Sequence, residues 1–596
     1  MAIIEFLDKL PLLPDYVRQS YPKIGYAIYT LEAIVALLIA TYLYLYSYKE
    51  FISPLKNLRG PKSDNFLFGK VPTFISEEPQ RSHKKWILKY GLTFKYKMLF
   101  NFEELFLADP IGLQYILSNS YKFPKPEQTS NALLEMTGNG VLVAEGDIHK
   151  KQRKLLNPSF TPLNIKGMFD IFYDKSEQLK EKWSSLIENQ DNDNNNKEDS
   201  TSLSSYGAAS PTPPKPEDKI KGTKKIDIMS WLGKATLDII GLAGFNYDFN
   251  ALEDPNNELA LAFNKMFSEG MKITIPVVLQ AIFPIFRIIP TERSRVIQAS
   301  SDKTKEIGRK LIEDKKKVIL AAHTDGHLEK KEDIGNDLLS HLIKANMASD
   351  LRPDQRLTDD EVLAQITTFM LAGNETSSTA LTWILYTLAQ HPDSQKQLRE
   401  ELMTISEERP SLDTLNSLPY LDAVIREVLR LEAPAPHTMR MALEDSIIPL
   451  GKPVKGKNGK MIDSLKIKKG TEIMIPILSV NTSTEIWGSD ADQYNPNRFL
   501  GSNNKSEKDG GKIPNIPGVW GNLLTFLGGT RNCIGFKFAL AEIKVMLFVL
   551  LKSFEFLELP SNPKIERKSS VVMRPRVIGE EDAGLQLPLL VKPVST

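Results

Sequence analysis

The 596-residue chain holds a single thiol, Cys533. It stands in Phe526-Leu-Gly-Gly-Thr-Arg-Asn-Cys-Ile-Gly535, directly ahead of an apolar run, Phe536 to about Lys552, that reads as a helix. Unpaired N–H groups and the helix dipole favour a thiolate just before a helix N-terminus. A thiolate is a strong ligand for heme iron and pushes electron density toward a bound oxygen. Gly529 and Gly535 would let the backbone approach a flat ligand where a Cβ would clash. Arg531 is placed to pair with a heme propionate, and Phe526 to pack beside the sulfur and keep water away. A lone cysteine is by itself usually a small buried hydrophobe. Five fixed positions, Phe-x-x-Gly-x-Arg-x-Cys-x-Gly, argue for the ligand instead.

A second group that could do chemistry is an acid beside an alcohol, Glu375-Thr376, in Ala372-Gly-Asn-Glu-Thr376. Splitting bound dioxygen needs protons at its outer oxygen, and a positioned acid and alcohol suit that task. Thr376 would hydrogen-bond the oxygen, and Glu375 would relay protons from solvent. The motif lies mid-way along a long helical pattern that opens with the capping box Thr358-Asp-Asp-Glu361 and stops at His391-Pro392. Its glycine and threonine weaken the backbone ladder and predict a local kink.

The cysteine stretch resembles the heme-binding loop of the cytochrome P-450 family, and Ala372–Thr376 is similar to that family's oxygen-activating motif. The resemblance covers about Lys62 to Pro593, with its motifs in order. It implies a mainly α fold with a small β region. His149 and Arg153, four apart on one helix face, would bind heme propionates, this chain having the His variant. Arg440, in Pro434-Ala-Pro-His-Thr-Met-Arg440, would reach another propionate. Glu427 and Arg430 would form a buried structural triad with Arg498, from Tyr494-Asn-Pro-Asn-Arg498. One departure is Asn481, where many relatives have His ahead of Trp487-Gly488; it predicts a weakened minor contact.

The implied cofactor is heme b with Cys533 as axial ligand. The implied activity is a monooxygenase, inserting one oxygen atom of O2 into a lipophilic organic substrate. No Gly-x-Gly-x-x-Gly loop in a strand–helix setting supplies a dinucleotide site. The resemblance therefore implies electrons from NADPH through a cytochrome P-450 reductase, with cytochrome b5 as a further candidate partner. Lys150, Lys151, Lys154 and Lys537 would face an acidic flavodomain, or simply keep the surface soluble. One rival is a heme-thiolate isomerase or dehydratase acting on hydroperoxides without a reductase. The other is a non-enzymatic heme protein. The intact acid–alcohol pair speaks against both.

The elements that must hold these residues follow from pattern. Residues 1–23 are a mixed N-terminal tail. Residues 24–48 form a strongly apolar run, interrupted by Glu32, of a length that crosses a bilayer, about 20 residues. Tyrosines gather near its ends, as at a membrane interface. The run is too long for a signal h-region and lacks a small-residue cleavage site. A single transmembrane helix is expected, with residues 49–65 as linker and 66–596 as the catalytic domain. A slight basic excess after the run favours a cytosol-facing domain, on the endoplasmic reticulum membrane given the resemblance. Residues 190–225, rich in Asn, Asp, Ser, Pro and Lys, read as a disordered insertion. Residues 502–518 are a second polar, Gly-rich insertion. Helices are expected over Asp227–Phe245, Ser300–His323 and Tyr420–Glu432, and a hairpin ahead of Phe100. Apolar stretches near 125–145 and 260–290 suit a lipophilic substrate arriving from the membrane.

With 41% hydrophobic and 25% charged residues and a net charge of +1, the chain is globular and carries no field that points to nucleic acid. One cysteine rules out an intrachain disulfide, which fits a reducing compartment.

Overall fold

The computed structural model describes residues 21–192, 218, 220–254, 257–270, 277, 280, 288–324, 337–347, 352–501, 515–569 and 571–594. The tail before residue 21, most of the first insertion and residues 502–514 of the second lie outside them. So does much of the apolar stretch near 260–290.

The N-terminal apolar run is helical. Helix α1, Tyr21–Leu43, continues through a wider turn, Tyr44–Tyr48, and a last turn, Lys49–Ile52. The 24 residues Tyr29–Ile52 are long and apolar enough to cross a membrane, and no part of that stretch is buried in the protein. A helix apolar all round is stable in water only when covered, so an exposed one is compatible with an anchor in lipid. A second helix passing the same test, Ile228–Phe245, is mostly buried and belongs to the core.

A small sheet follows α1. Its order is Thr93–Lys97, Glu103–Leu107, Glu472–Ile475, Thr438–Met441. The first two strands form a hairpin that reaches further than expected, its second strand lying beyond Phe100, with Phe94 stacked on Phe106 at 4.2 Å between ring centroids. The last strand carries Arg440. Around this sheet lies one core, and a larger one fills the helical side.

The helices that position the site are α2 (Pro110–Ser118), α3 (Gly146–Leu156), α4 (Asp359–Gln390), α5 (Pro419–Leu431) and α6 (Phe536–Ser553). Helix α4 begins with the anticipated capping box, Thr358 accepting from the Glu361 N–H and Glu361 reaching back to the Thr358 N–H. It is buried on nearly every side, as a helix through the middle of a domain must be. Some boundaries differ from expectation, the helix expected over Ser300–His323 beginning already at Glu292. The helix Phe169–Asn192 runs three residues into the first insertion, and a strand, Lys224–Asp227, begins before its predicted end. That strand is drawn out by backbone pairing with Pro588–Val591, a partner more than three hundred residues away.

Candidate active site

The cysteine loop is shaped by its own backbone. The Cys533 N–H donates to the Phe526 carbonyl at 2.9 Å, closing the turn. Leu527, between them, takes a positive φ of 53°. A residue with a side chain is strained there, and loops around functional groups hold such strain. The Phe526 ring packs edge-on against Trp520, with Phe536 on its other side. Gly529 is needed for a reason the sequence did not give. Its φ is +68°, and a Cβ there would collide with the Leu117 carbonyl at the end of α2. The loop is thus pressed against protein backbone at this point. Gly535 has ordinary φ, and a Cβ would meet only the Phe160 ring at 3.6 Å.

Cys533 has open surface, with protein packed closely around it. Burial pushes its thiol pKa up; the Gly535 N–H and the Arg153 guanidinium work against that. The expected lowering by the helix terminus is therefore outweighed, because desolvating an anion is the larger effect. A thiolate here needs a metal cation beside it, which deprotonates a coordinating thiol.

Helix α4 forms the facing wall. Phe160 bridges the two: its ring meets Phe369 of α4 at 5.4 Å and lies against Gly535. One turn beyond Phe369, the otherwise buried helix opens: Ala372 is exposed and Thr376 half-buried, four residues apart on one face. The other residues of the motif point elsewhere. A Cβ on Gly373 would press on Ile240 at 2.9 Å, so this glycine lets the helix Ile228–Phe245 pack close. Asn374 accepts from the Thr236 hydroxyl of that same helix at 2.6 Å. The anticipated kink does not interrupt α4. The Thr376 hydroxyl satisfies the Ala372 carbonyl at 2.5 Å instead.

Glu375 also departs from expectation. It is 1% exposed, and its carboxylate lies 3.6 Å from Arg574, on the strand Met573–Val577. Neither carboxylate oxygen has a hydrogen-bond partner among the described residues. A group so enclosed has no direct reach to solvent.

Beside the loop, cations gather. Arg531 donates to the Ala144 carbonyl and ion-pairs with Glu145. Lys125 lies 3.4 Å from the other Glu145 oxygen. Arg440 is buried, its guanidinium bonded among the described residues within its own strand, to Thr438 Oγ1 at 2.8 Å and the Met439 carbonyl at 2.7 Å. Burial, with the neighbouring cations, pulls Lys125 down to about 8 and Arg440 to about 10. His149 is buried and held at about 3 by burial and by Arg531, Arg153 and Lys125. It is neutral, within 3.0 Å of the Tyr121 hydroxyl. Arg153 serves the loop: its Nη1 donates to the Asn532 carbonyl at 2.7 Å and its Nη2 to Asn532 Oδ1 at 2.8 Å.

This set fits heme. Buried cations cost free energy unless anions meet them, and among the described residues Glu145 is the one carboxylate set against Lys125, Arg440 and Arg531. Two propionates would balance them. Lys125, Tyr121 and Glu145 were not singled out from the sequence, because no spacing rule links them to Arg531; Lys125, in Phe123-Pro-Lys-Pro126, carried no signal.

The triad is assembled below the loop. Arg430 bonds both Glu427 oxygens, at 2.7 and 2.8 Å, and Arg498 approaches Glu427 at 3.7 Å. Glu427 and Arg430 have no solvent exposure. Arg498 has a nearer partner in Asp490, at 2.7 Å. Arg430 also donates to the Asn481 carbonyl at 2.9 Å. Asn481 in turn accepts from the Leu524 N–H and donates to Thr525 Oγ1, both at 3.0 Å. Far from weakening a contact, it ties the triad to the turn that leads into the cysteine loop. Of the lysines thought to face a partner, Lys151 is engaged by Glu361 at 3.0 Å, whereas Lys154 and Lys537 are exposed.

Comparison with known proteins gives one answer. The Cytochrome P-450 family model matches residues 215–578. Cytochrome P-450 monooxygenase 205 of Postia placenta is 42% identical over 91% of this chain and 94% of its own length. Cytochrome P-450 monooxygenase 128 of the same fungus is 40% identical over 91% and 93%. Cytochrome P-450 monooxygenase claW of Ampulloclitocybe clavipes is 33% identical over 90% and 92%.

Proposed function

The chain belongs to the cytochrome P-450 family and is a monooxygenase of fungal type, and from that premise we propose that it hydroxylates a lipophilic molecule with electrons from an NADPH-dependent flavoprotein reductase. The observation that carries this reading is the Cys533 loop set beside helix α4 through Phe160, with Lys125, Arg440 and Arg531 gathered about Glu145. Heme b, when bound, supplies an iron centre that takes electrons singly and activates O2.

The chain's own residues would do the rest. Cys533 Sγ would hold the iron, in a loop kept in place by the Phe526–Cys533 turn and by Arg153 on Asn532. Phe526, with Trp520 and Phe536 beside it, excludes water from the sulfur's side. Lys125, Arg440 and Arg531 would hold the propionates, with His149 as a neutral hydrogen-bonding neighbour. Thr376 Oγ1 holds a proton at the opening, now donated to Ala372. Glu375, one residue away, would carry protons only after Arg574 or the helix shifts, since it is shut in where it stands. The triad Glu427, Arg430 and Arg498 is scaffold.

Helix α1 would anchor the protein in the endoplasmic reticulum membrane, with the catalytic domain facing the cytosol. Lys154 and Lys537, exposed on the cysteine side, suit an acidic reductase, and cytochrome b5 would compete there. The test is turnover of the purified protein. Product that needs NADPH, O2 and reductase supports the reading. Product formed from a hydroperoxide with neither NADPH nor O2 would replace it with an isomerase or dehydratase.

A further inference from the structure

Where the apolar N-terminal helix meets the folded body there is a cavity of about 240 Å³. Its walls are the end of the helix (Lys49–Leu55), the hairpin turn (Asn101–Glu103) and the turn Lys468–Thr471. Three lysines line it: Lys49, Lys468 and Lys469. None of their ammonium groups forms an ion pair with a carboxylate among the described residues; Asp445 accepts only from the Lys469 backbone N–H, at 2.8 Å. The two acids on the wall are already satisfied. Glu103 takes Lys95 and the Ser53 hydroxyl, the latter at 2.6 Å. Glu50 takes Lys97 at 2.7 Å and Lys457 at 3.5 Å. Positive charge therefore remains in excess around a concave space.

The surroundings say what kind of anion belongs there. Phe51 is 73% exposed and Phe66 68%, and Ile52, Phe68 and Phe102 are also open. The structure holds them at the helix end: Tyr46 bonds the Phe66 carbonyl, Asn101 Nδ2 donates to the Leu45 carbonyl at 2.7 Å, and Lys49 Nζ sits 4.2 Å from the Phe102 ring centre. Bulky apolar side chains beside lysines, at the foot of a helix long enough to span a bilayer, match the layering of acyl chains and phosphates. We propose that this cavity holds the phosphate headgroup of an anionic phospholipid, met by Lys49, Lys468 and Lys469, and so fixes how the catalytic body stands on the bilayer. The inference rests on the reading of α1 as an anchor.

The test uses the full-length holoprotein in neutral detergent, titrated with phosphatidic acid, phosphatidylcholine or inorganic phosphate and followed by native mass spectrometry. Phosphatidic acid should bind in a saturable one-to-one adduct, more tightly than phosphatidylcholine. The variant Lys49→Gln/Lys468→Gln/Lys469→Gln should weaken it roughly a hundredfold, at an unchanged reduced carbon monoxide spectrum, since each lysine near a lipid phosphate contributes about equally. Equal binding of the two lipids, or undiminished binding by the variant, overturns the proposal. Inorganic phosphate that competes at the same concentration as the lipid overturns the lipid source in favour of a free-phosphate site. Alkaline carbonate extraction of membranes separates the premise: release of the wild type would defeat the anchor, whereas the triple variant should stay embedded.

Discussion

The Glu375 carboxylate lies 3.6 Å from the Arg574 guanidinium, and both groups are buried. The pair joins the Ala372–Thr376 stretch of α4 to the strand Met573–Val577, which Trp383 also grips through its indole N–H on the Met573 carbonyl at 3.0 Å. Removing Arg574 leaves Glu375 as a buried charge without its cation. Arg574→Met should therefore destabilise the fold by about 3 kcal/mol. The double variant Glu375→Gln/Arg574→Met should recover much of that loss. Urea unfolding of the four proteins in the cycle measures the coupling, and an additive result would deny the pair.

Thr376 offers the one hydroxyl of the Ala372–Thr376 opening. Thr376→Ala should lower product formed per NADPH by at least about tenfold. Thr376→Ser, which keeps the hydroxyl, should restore most of it. Normal coupling in the alanine variant would remove Thr376 from proton handling.

Cys533 is the only thiol, and no other side chain can replace its ligation. Cys533→Ala should keep the fold, since the surrounding turn is backbone-bonded, while losing the thiolate signature of the reduced carbon monoxide complex and all NADPH-dependent turnover. Oxygenation that survives in this variant would refute the heme-thiolate reading.

Asn481 is fully buried and makes two side-chain hydrogen bonds into the turn before the cysteine loop. Asn481→Leu orphans the Leu524 N–H and should cost about 2 kcal/mol. The loop should loosen with it, so heme should leave the variant faster than the wild type when apomyoglobin competes for it.

Glu542 on α6 is buried, and burial lifts its carboxyl to about 8, with Ser377 opposing. A folded-state pKa above the unfolded value, about 4.3, gives a contribution that is whole below pH 4 and lost as pH rises toward 8. Glu542→Gln should match the wild type at pH 5 and melt higher than it at pH 8. Parallel pH profiles of the two proteins would show that the carboxyl ionises without penalty.

Much of the design was legible because it is local. The capping box of α4, the helix after Cys533, the strand ahead of Phe100 and the Glu427–Arg430 pair each depend on residues within a turn or two, where spacing alone decides who meets whom. Other features required distant partners. Gly373 reads locally as a weak point in a helix, yet it exists to seat Ile240. Gly529 reads as room for a ligand, yet Leu117 fills that room.

By itself the sequence determined the chemistry: one thiol in a five-position pattern, an alcohol on a long capped helix, and a family whose members are monooxygenases. Only the tertiary structure decided the electrostatics around that thiol. It set desolvation against the helix terminus at Cys533, closed Glu375 onto Arg574, and gathered Lys125, Arg440 and Arg531 around one acid. Charges act through space and through burial, and neither distance nor dielectric is written along a chain.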